Sequence, residues 1–227
     1  MQHMPEHTGN NVLLDADIQG KPQAQLAAVF ALVTIIGIVV YVIIDVIAQL
    51  LPPHYNAITQ AESDLAVGPY GFLMTINFVI RGLLSLALLI ALTRATTKEG
   101  RSQFGLILLG IWTVGAFLLA LFPTDLTGQK PTLHGLIHLL VAFIAFVCVA
   151  IGELLLSLRF AADERWQAVR NLTVTIAFLT LIALFLLFFG AFAGLNSIGG
   201  LLERVFLGLA MLWILIVAVR LRTLLAK

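Results

Sequence analysis

Six apolar blocks, at 26–51, 70–92, 104–122, 133–158, 172–193 and 201–219, constrain this chain more than any other feature of its sequence. A helix of about 20 residues rises roughly 30 Å, the thickness of a bilayer's hydrocarbon core, and each block is long enough to cross it. Charged residues make up only 11% of the chain, whereas a water-soluble domain carries about a quarter. The solvent around these helices is therefore lipid. The breaks between blocks carry the expected stop chemistry: Pro52-Pro53, the run Lys98-Glu99-Gly100-Arg101, Pro123, Pro131, the stretch Asp163-Glu164-Arg165, and Gly199-Gly200. The expected fold is an all-α integral membrane bundle of six transmembrane helices. It forms one domain over 24–227, preceded by a polar cytoplasmic segment, 1–23. That segment, with Glu6, Asp15, Asp17 and Lys21, lacks the basic start and short apolar stretch of a cleavable signal, so the first block is expected to be a retained anchor.

Basic residues set the orientation, because cytoplasmic loops carry the excess of Lys and Arg. With alternating crossings, Lys21, Arg94, Lys98, Arg101, Arg159, Arg165, Arg170, Arg220, Arg222 and Lys227 fall on one side, and only Lys130 and Arg204 on the other. Both termini are expected to be cytoplasmic. The net charge of +1 and the scatter of the basic residues along block borders argue against a nucleic-acid partner. No GxxxxGK[ST] phosphate loop occurs, which argues against a nucleotide-driven pump. All four Lys lie outside the blocks, so a Schiff-base chromophore has no site. The lone Cys148 reads as a small core residue, and the small pairs Gly190/Gly194 and Ala116/Ala120 read as close-packing positions.

Polar residues inside the blocks call for partners. Tyr41, Asp45 and Gln49 recur every fourth residue on the first span, as do Asn77, Arg81 and Ser85 on the second, so each helix has one polar stripe expected to face the interior. An unpaired charge at such a depth costs about 2.5–3.5 kcal/mol. Asp45 and Arg81 are therefore expected to form an intramembrane ion pair, whereas Glu153 is read as a solvated helix end.

The fourth span opens with His134 and His138, whose i,i+4 spacing puts two imidazoles on one helical face, as metal binding requires. Other candidate ligands gather on the same side of the membrane: His54, Asn56, Glu62, Ser63 and Asp64 before Gly68, Asp125 after the third span, and Glu203 opening the sixth. Zinc held by His134, His138 and His54, with Asp125, Asp64 and Ser63 as catalytic groups, would leave an open position for an activated water. Ile58, Ala61 and Leu65 recur at helical spacing, so a short interfacial helix is expected to cover the outer mouth of the bundle.

The tract His54-Tyr-Asn-Ala-Ile, the run Glu62-Ser-Asp-Leu-Ala-Val-Gly68, Arg81-Gly82, the turn Phe122-Pro-Thr-Asp125 and the His134–His138 helix start together resemble the bacterial and archaeal membrane family catalogued as domain of unknown function 998. The resemblance implies a six-helix membrane fold and a multi-pass place in the prokaryotic cytoplasmic membrane, and brings no activity with it. More distantly the residue types are similar to those of alkaline ceramidase and adiponectin receptor-type hydrolases, which combine Ser, Asp and three His around zinc. That analogy departs in span number, six against seven, and in the position of the paired histidines. Three functions stay open for a chain whose surrounding partner is membrane lipid: a metal-dependent hydrolase of a lipid or amphiphile at the outer face, a protein that binds or transports a small ligand, ion or proton, and a structural or accessory subunit in which the ion pair and histidines are only packing devices. For the orientation, a cysteine introduced at position 98 is expected to stay unlabelled by an impermeant thiol reagent in intact cells, and strong labelling would reverse it.

Overall fold

The computed structural model describes residues 8–97, 100–126 and 129–225. Lys98 and Lys227, two of the basic residues expected on the inner side, and the first seven residues of the polar segment lie outside them. The described residues form α1 (Thr8–Leu50), α2 (Gly71–Ala95), α3 (Gln103–Leu121), α4 (Leu133–Arg159), α5 (Gln167–Phe192) and α6 (Gly199–Leu225), joined by short 3-10 turns and irregular loops. All six helices carry a stretch long and apolar enough to cross a membrane. The first helix begins at Thr8 and runs on through Pro22, so the chain is helical well ahead of the expected anchor start.

Each helix packs on its neighbours in sequence, and α1 closes on α6, so the six form a ring in chain order. α2 and α4 also reach α6 across the interior. Outward faces are apolar, as with Ile36, Phe104, Leu139 and Phe178, all more than half exposed. Water would penalise such a surface and hydrocarbon does not. Helix starts follow local chemistry: the hydroxyls of Ser102 and Thr132 accept from Gly105 N and Gly135 N, capping α3 and α4.

Interior order comes from small residues and from a few paired polar side chains. A Cβ on Gly105 would stand 3.2 Å from the Gly152 carbonyl oxygen, and one on Gly115 would stand 2.7 Å from Ala145 Cβ, so α3 and α4 touch backbone to backbone. This seam replaces the expected Gly190/Gly194 pair. Gly194 lies past the end of α5 with φ +77, a turn conformation that suits glycine. Trp112 and Trp213, both fully buried, donate their indole N–H to Ser85 Oγ at 3.0 Å and Ser157 Oγ at 2.8 Å.

Glu153 corrects a sequence expectation. It is 1% exposed rather than solvated, because α4 continues to Arg159 and puts it about 9 Å short of the helix end on the buried face with Gly152, Leu156 and Ser157. Among the described residues neither carboxyl oxygen has a partner in hydrogen-bond geometry.

The α3–α4 seam makes a direct prediction. Gly105→Leu should lower the thermal midpoint in detergent by several degrees, since overpacking of this kind costs about 1–3 kcal/mol. Gly208→Ala, where an added Cβ meets nothing within 4 Å, should leave the midpoint unchanged or raise it.

Candidate functional site

The polar residues gather at the end of the bundle formed by the 51–70 and 122–132 connections, called here the loop end. Arg204, on the first turns of α6, organises it. Its Nη1 donates to the carbonyls of Ala57 at 2.9 Å, Gln60 at 3.0 Å and Gly200 at 3.0 Å. Its Nη2 donates to the Tyr55 hydroxyl, and the guanidinium stands 5.4 Å from that ring's centroid. Leu201 N donates to Ile58 O at 3.0 Å, and a Cβ on Gly200 would collide with the Gln60 carbonyl. The 52–62 loop is thereby strapped onto α6. Burial pushes the Tyr55 hydroxyl up to about 12, so it stays a neutral donor, here to Ala61 O at 2.8 Å.

The expected interfacial helix is a single 3-10 segment, Glu62–Ala66. Glu62 is buried, and its Oε1 accepts from the Tyr41 hydroxyl at 2.7 Å, while its backbone N–H donates to Glu203 Oε2 at 2.9 Å. One oxygen of each of these carboxylates is left without a protein partner among the described residues.

Under this roof lies a cavity of about 210 Å³. Its polar lining is Ser63, Glu62, Arg81, His138 and Glu203, and its apolar lining comes largely from α4 and α5. Arg81 is 1% exposed, between the rings of Phe78 and Trp112, whose centroids lie 5.1 Å and 4.8 Å from the guanidinium carbon. Among the described residues its Nε and Nη2 have no hydrogen-bond partner. Two aromatic faces return on the order of 1–2 kcal/mol each. They soften the charge and accept neither N–H.

His138 also faces inward, 2% exposed, with Nδ1 2.7 Å from Phe122 O. A carbonyl only accepts, so Nδ1 carries the proton and Nε2 is the free acceptor of the neutral ring. Phe122 terminates α3, and its carbonyl is one of the orphan acceptors that any helix end leaves.

The structure brings only part of the expected site together. Ser63, Glu62, Glu203, Arg81 and His138 share the cavity. His54 and Asp64 line a separate cavity of about 230 Å³ with Pro52 and Leu126. Burial raises the Asp64 carboxyl above its ordinary range. His134 is exposed against the Phe122 ring, because one turn of helix carries it about 6 Å beyond His138 and past the end of α3. Asp125 clamps the start of α4, accepting from Thr132 N at 2.7 Å and Thr132 Oγ1 at 2.8 Å. Among the described residues no three His, Cys, Asp or Glu side chains converge closely enough to hold an ion.

The expected Asp45–Arg81 pair is not formed. Asp45 Oδ2 accepts from Gln49 Nε2 at 2.5 Å, one turn along α1, and Asp45 lines another cavity, of about 350 Å³, with Tyr41, Glu62 and Arg204. The stripe containing Arg81 faces the interior as expected, with Asn77, Arg81 and Ser85 all buried. What sequence reasoning missed is Arg204, whose position at a span border resembles that of any interfacial basic residue.

Residues 35–220 match the family described as Protein of unknown function (DUF998). The chain belongs to the DUF998 family. No curated protein and no solved structure matches it. Most of the residues that build the loop end of this DUF998 chain, from Tyr41 to Glu203, lie inside the matched region.

The Asp125 clamp has a pH signature. The Thr132 N–H and hydroxyl hold the Asp125 carboxyl below its usual range, so its stabilising effect is complete above the unfolded value of about 3.9 and is lost as pH falls through the folded value. Asp125→Ala should melt below the parent at pH 7, and the gap should narrow below about pH 3.5. A gap independent of pH would contradict the clamp.

Proposed function

We propose that this protein binds a small polar-headed ligand in the cavity beneath the 52–66 roof, as a binding or transport protein of the prokaryotic cytoplasmic membrane with its loop end outward. One observation carries the reading: a fully buried guanidinium with two nitrogens, Nε and Nη2, unpartnered among the described residues lines a cavity. An uncompensated buried charge is among the costliest features a membrane helix can hold. Such a group is expected where an acceptor arrives from outside the chain.

The surroundings suit ligand recognition. His138 Nε2 and Ser63 Oγ add an acceptor and a hydroxyl, and the free oxygens of Glu62 and Glu203 add two more acceptors. The zinc-hydrolase reading would need His54 and His134 drawn in beside His138. Asp125, its proposed catalytic carboxylate, is already engaged by Thr132. The packing-only reading leaves Arg81 without any purpose for its free N–H groups.

Replacing a buried charge by an apolar side chain of similar length is commonly neutral or stabilising when the charge serves no structural pair. Arg81→Met should therefore fold and melt at or above the parent's temperature. In native mass spectrometry from a mild non-ionic detergent, the parent should carry a non-protein mass that Arg81→Met lacks. An unliganded parent together with a strongly destabilised Arg81→Met would make Arg81 a packing residue and overturn the proposal.

A further inference from the structure

The cavity has two chemically distinct walls and an apolar side between α4 and α5, and these features specify its occupant. On one wall stand Arg81 and His138, from α2 and α4; on the other stand Glu62 and Glu203, from the roof and α6. The opposite charges share a cavity without touching, since Arg81 makes no ion pair or hydrogen bond with either carboxylate. Direct pairing would be the cheapest use of such groups in low dielectric. Held apart, they present an anion site and a cation site to one molecule.

A simple anion would satisfy Arg81 but add charge beside two carboxylates, and a simple cation would satisfy the carboxylates and leave the guanidinium bare. A zwitterion answers both walls. The volume, about 210 Å³, equals that of roughly seven waters at about 30 Å³ each, which accommodates a compact head group.

The route into the cavity follows from what closes it. Its roof is tied down by the Arg204 bonds to Ala57 and Gln60, the Leu201–Ile58 bond and the Glu62–Glu203 bond. Its side is apolar. Leu139 and Phe143 of α4 line the cavity and also stand on the lipid face, 64% and 51% exposed, with Leu187 and Phe188 of α5 across the seam. The Phe143 and Phe188 rings lie 5.0 Å apart between centroids, an aromatic flank for a hydrocarbon chain.

We propose that the ligand is a zwitterionic amphiphile taken from the bilayer, with its anionic group on Arg81, its cationic group on Glu203 and Glu62, and its chain leaving between α4 and α5. This rests on the binding reading above and adds the class of ligand and its side of entry. The seam faces lipid, so the ligand partitions into the membrane before it reaches the site. Recognition of both charges excludes the purely anionic and uncharged lipids that share its chain.

The test uses the full chain in non-ionic detergent and four probes read by native mass spectrometry: lysophosphatidylethanolamine, lysophosphatidic acid and a monoacylglycerol of the same chain length, and chain-free phosphoethanolamine. The zwitterionic lipid should bind at least tenfold more tightly than the other three. Glu203→Gln keeps an oxygen for the Glu62 N–H and should erase the preference over lysophosphatidic acid; Arg81→Met should abolish binding of both phospholipids. Ala142→Trp, at the seam, should block the lipid probes. Equal or tighter binding of lysophosphatidic acid would overturn the zwitterion assignment while leaving the cavity's role as a binding site intact. Phosphoethanolamine binding as tightly as its acylated form would overturn entry from the bilayer. Failure of every probe on a parent that still carries its co-purifying mass would reject this ligand class, whereas failure on a parent without any such mass would reject the binding reading itself.

Discussion

A guanidinium inside a bilayer must be compensated by something, and the loop end of this bundle is arranged around one that the chain itself does not fully compensate. Arg81 is enclosed by Phe78 and Trp112, with Trp112 fixed in turn by its hydrogen bond to Ser85 one turn along the same helix. That sandwich sets where the side chain lies. It also spreads the charge over ring faces and keeps the hydrogen-bonding edge available. The carboxylates that could have neutralised the charge are engaged elsewhere: Glu62 by Tyr41, Glu203 by the Glu62 backbone and Asp45 by Gln49.

The second constraint is the roof. A loop at membrane depth needs internal partners for its backbone, and Arg204 supplies several at once by meeting the carbonyls of Ala57 and Gln60. Because the strap originates on α6 while Tyr41 reaches Glu62 from α1, the roof is tied to both helices that close the ring. The site is thus sealed toward the loop end and flanked by apolar side chains between α4 and α5. This arrangement is what supports the proposed entry from lipid rather than from water.

The membrane fold was legible in the sequence because its signal is additive: six long apolar blocks outweigh any local ambiguity, and the polar stripe Asn77, Arg81 and Ser85 reports its own inward face by helical period. The partners of the polar groups were not legible. One oxygen of Asp45, Oδ2, is met by Gln49 within its own helix, an i,i+4 contact that needs no second helix. His134 and His138 share a face by periodicity, yet α3 ends between their depths, so one meets a carbonyl and the other is exposed. Glu153 was misread because nearness to a helix end says little about face: the expected block ends within one residue of α4, yet Glu153 lies on the buried side with Gly152, Leu156 and Ser157. The role of Arg204 depends on where a loop folds back, and one-dimensional pattern carries little of that information.

The central claim is that Arg81 is completed by a molecule from outside the chain. It is tested most directly by an experimental density map of the protein in a lipid nanodisc prepared from native membrane lipids. Non-protein density is expected in the cavity within hydrogen-bonding distance of Arg81 Nε and Nη2, continuing between α4 and α5 past Leu139. An empty cavity, with Arg81 turned to pair directly with Glu203 or Glu62, would contradict the claim.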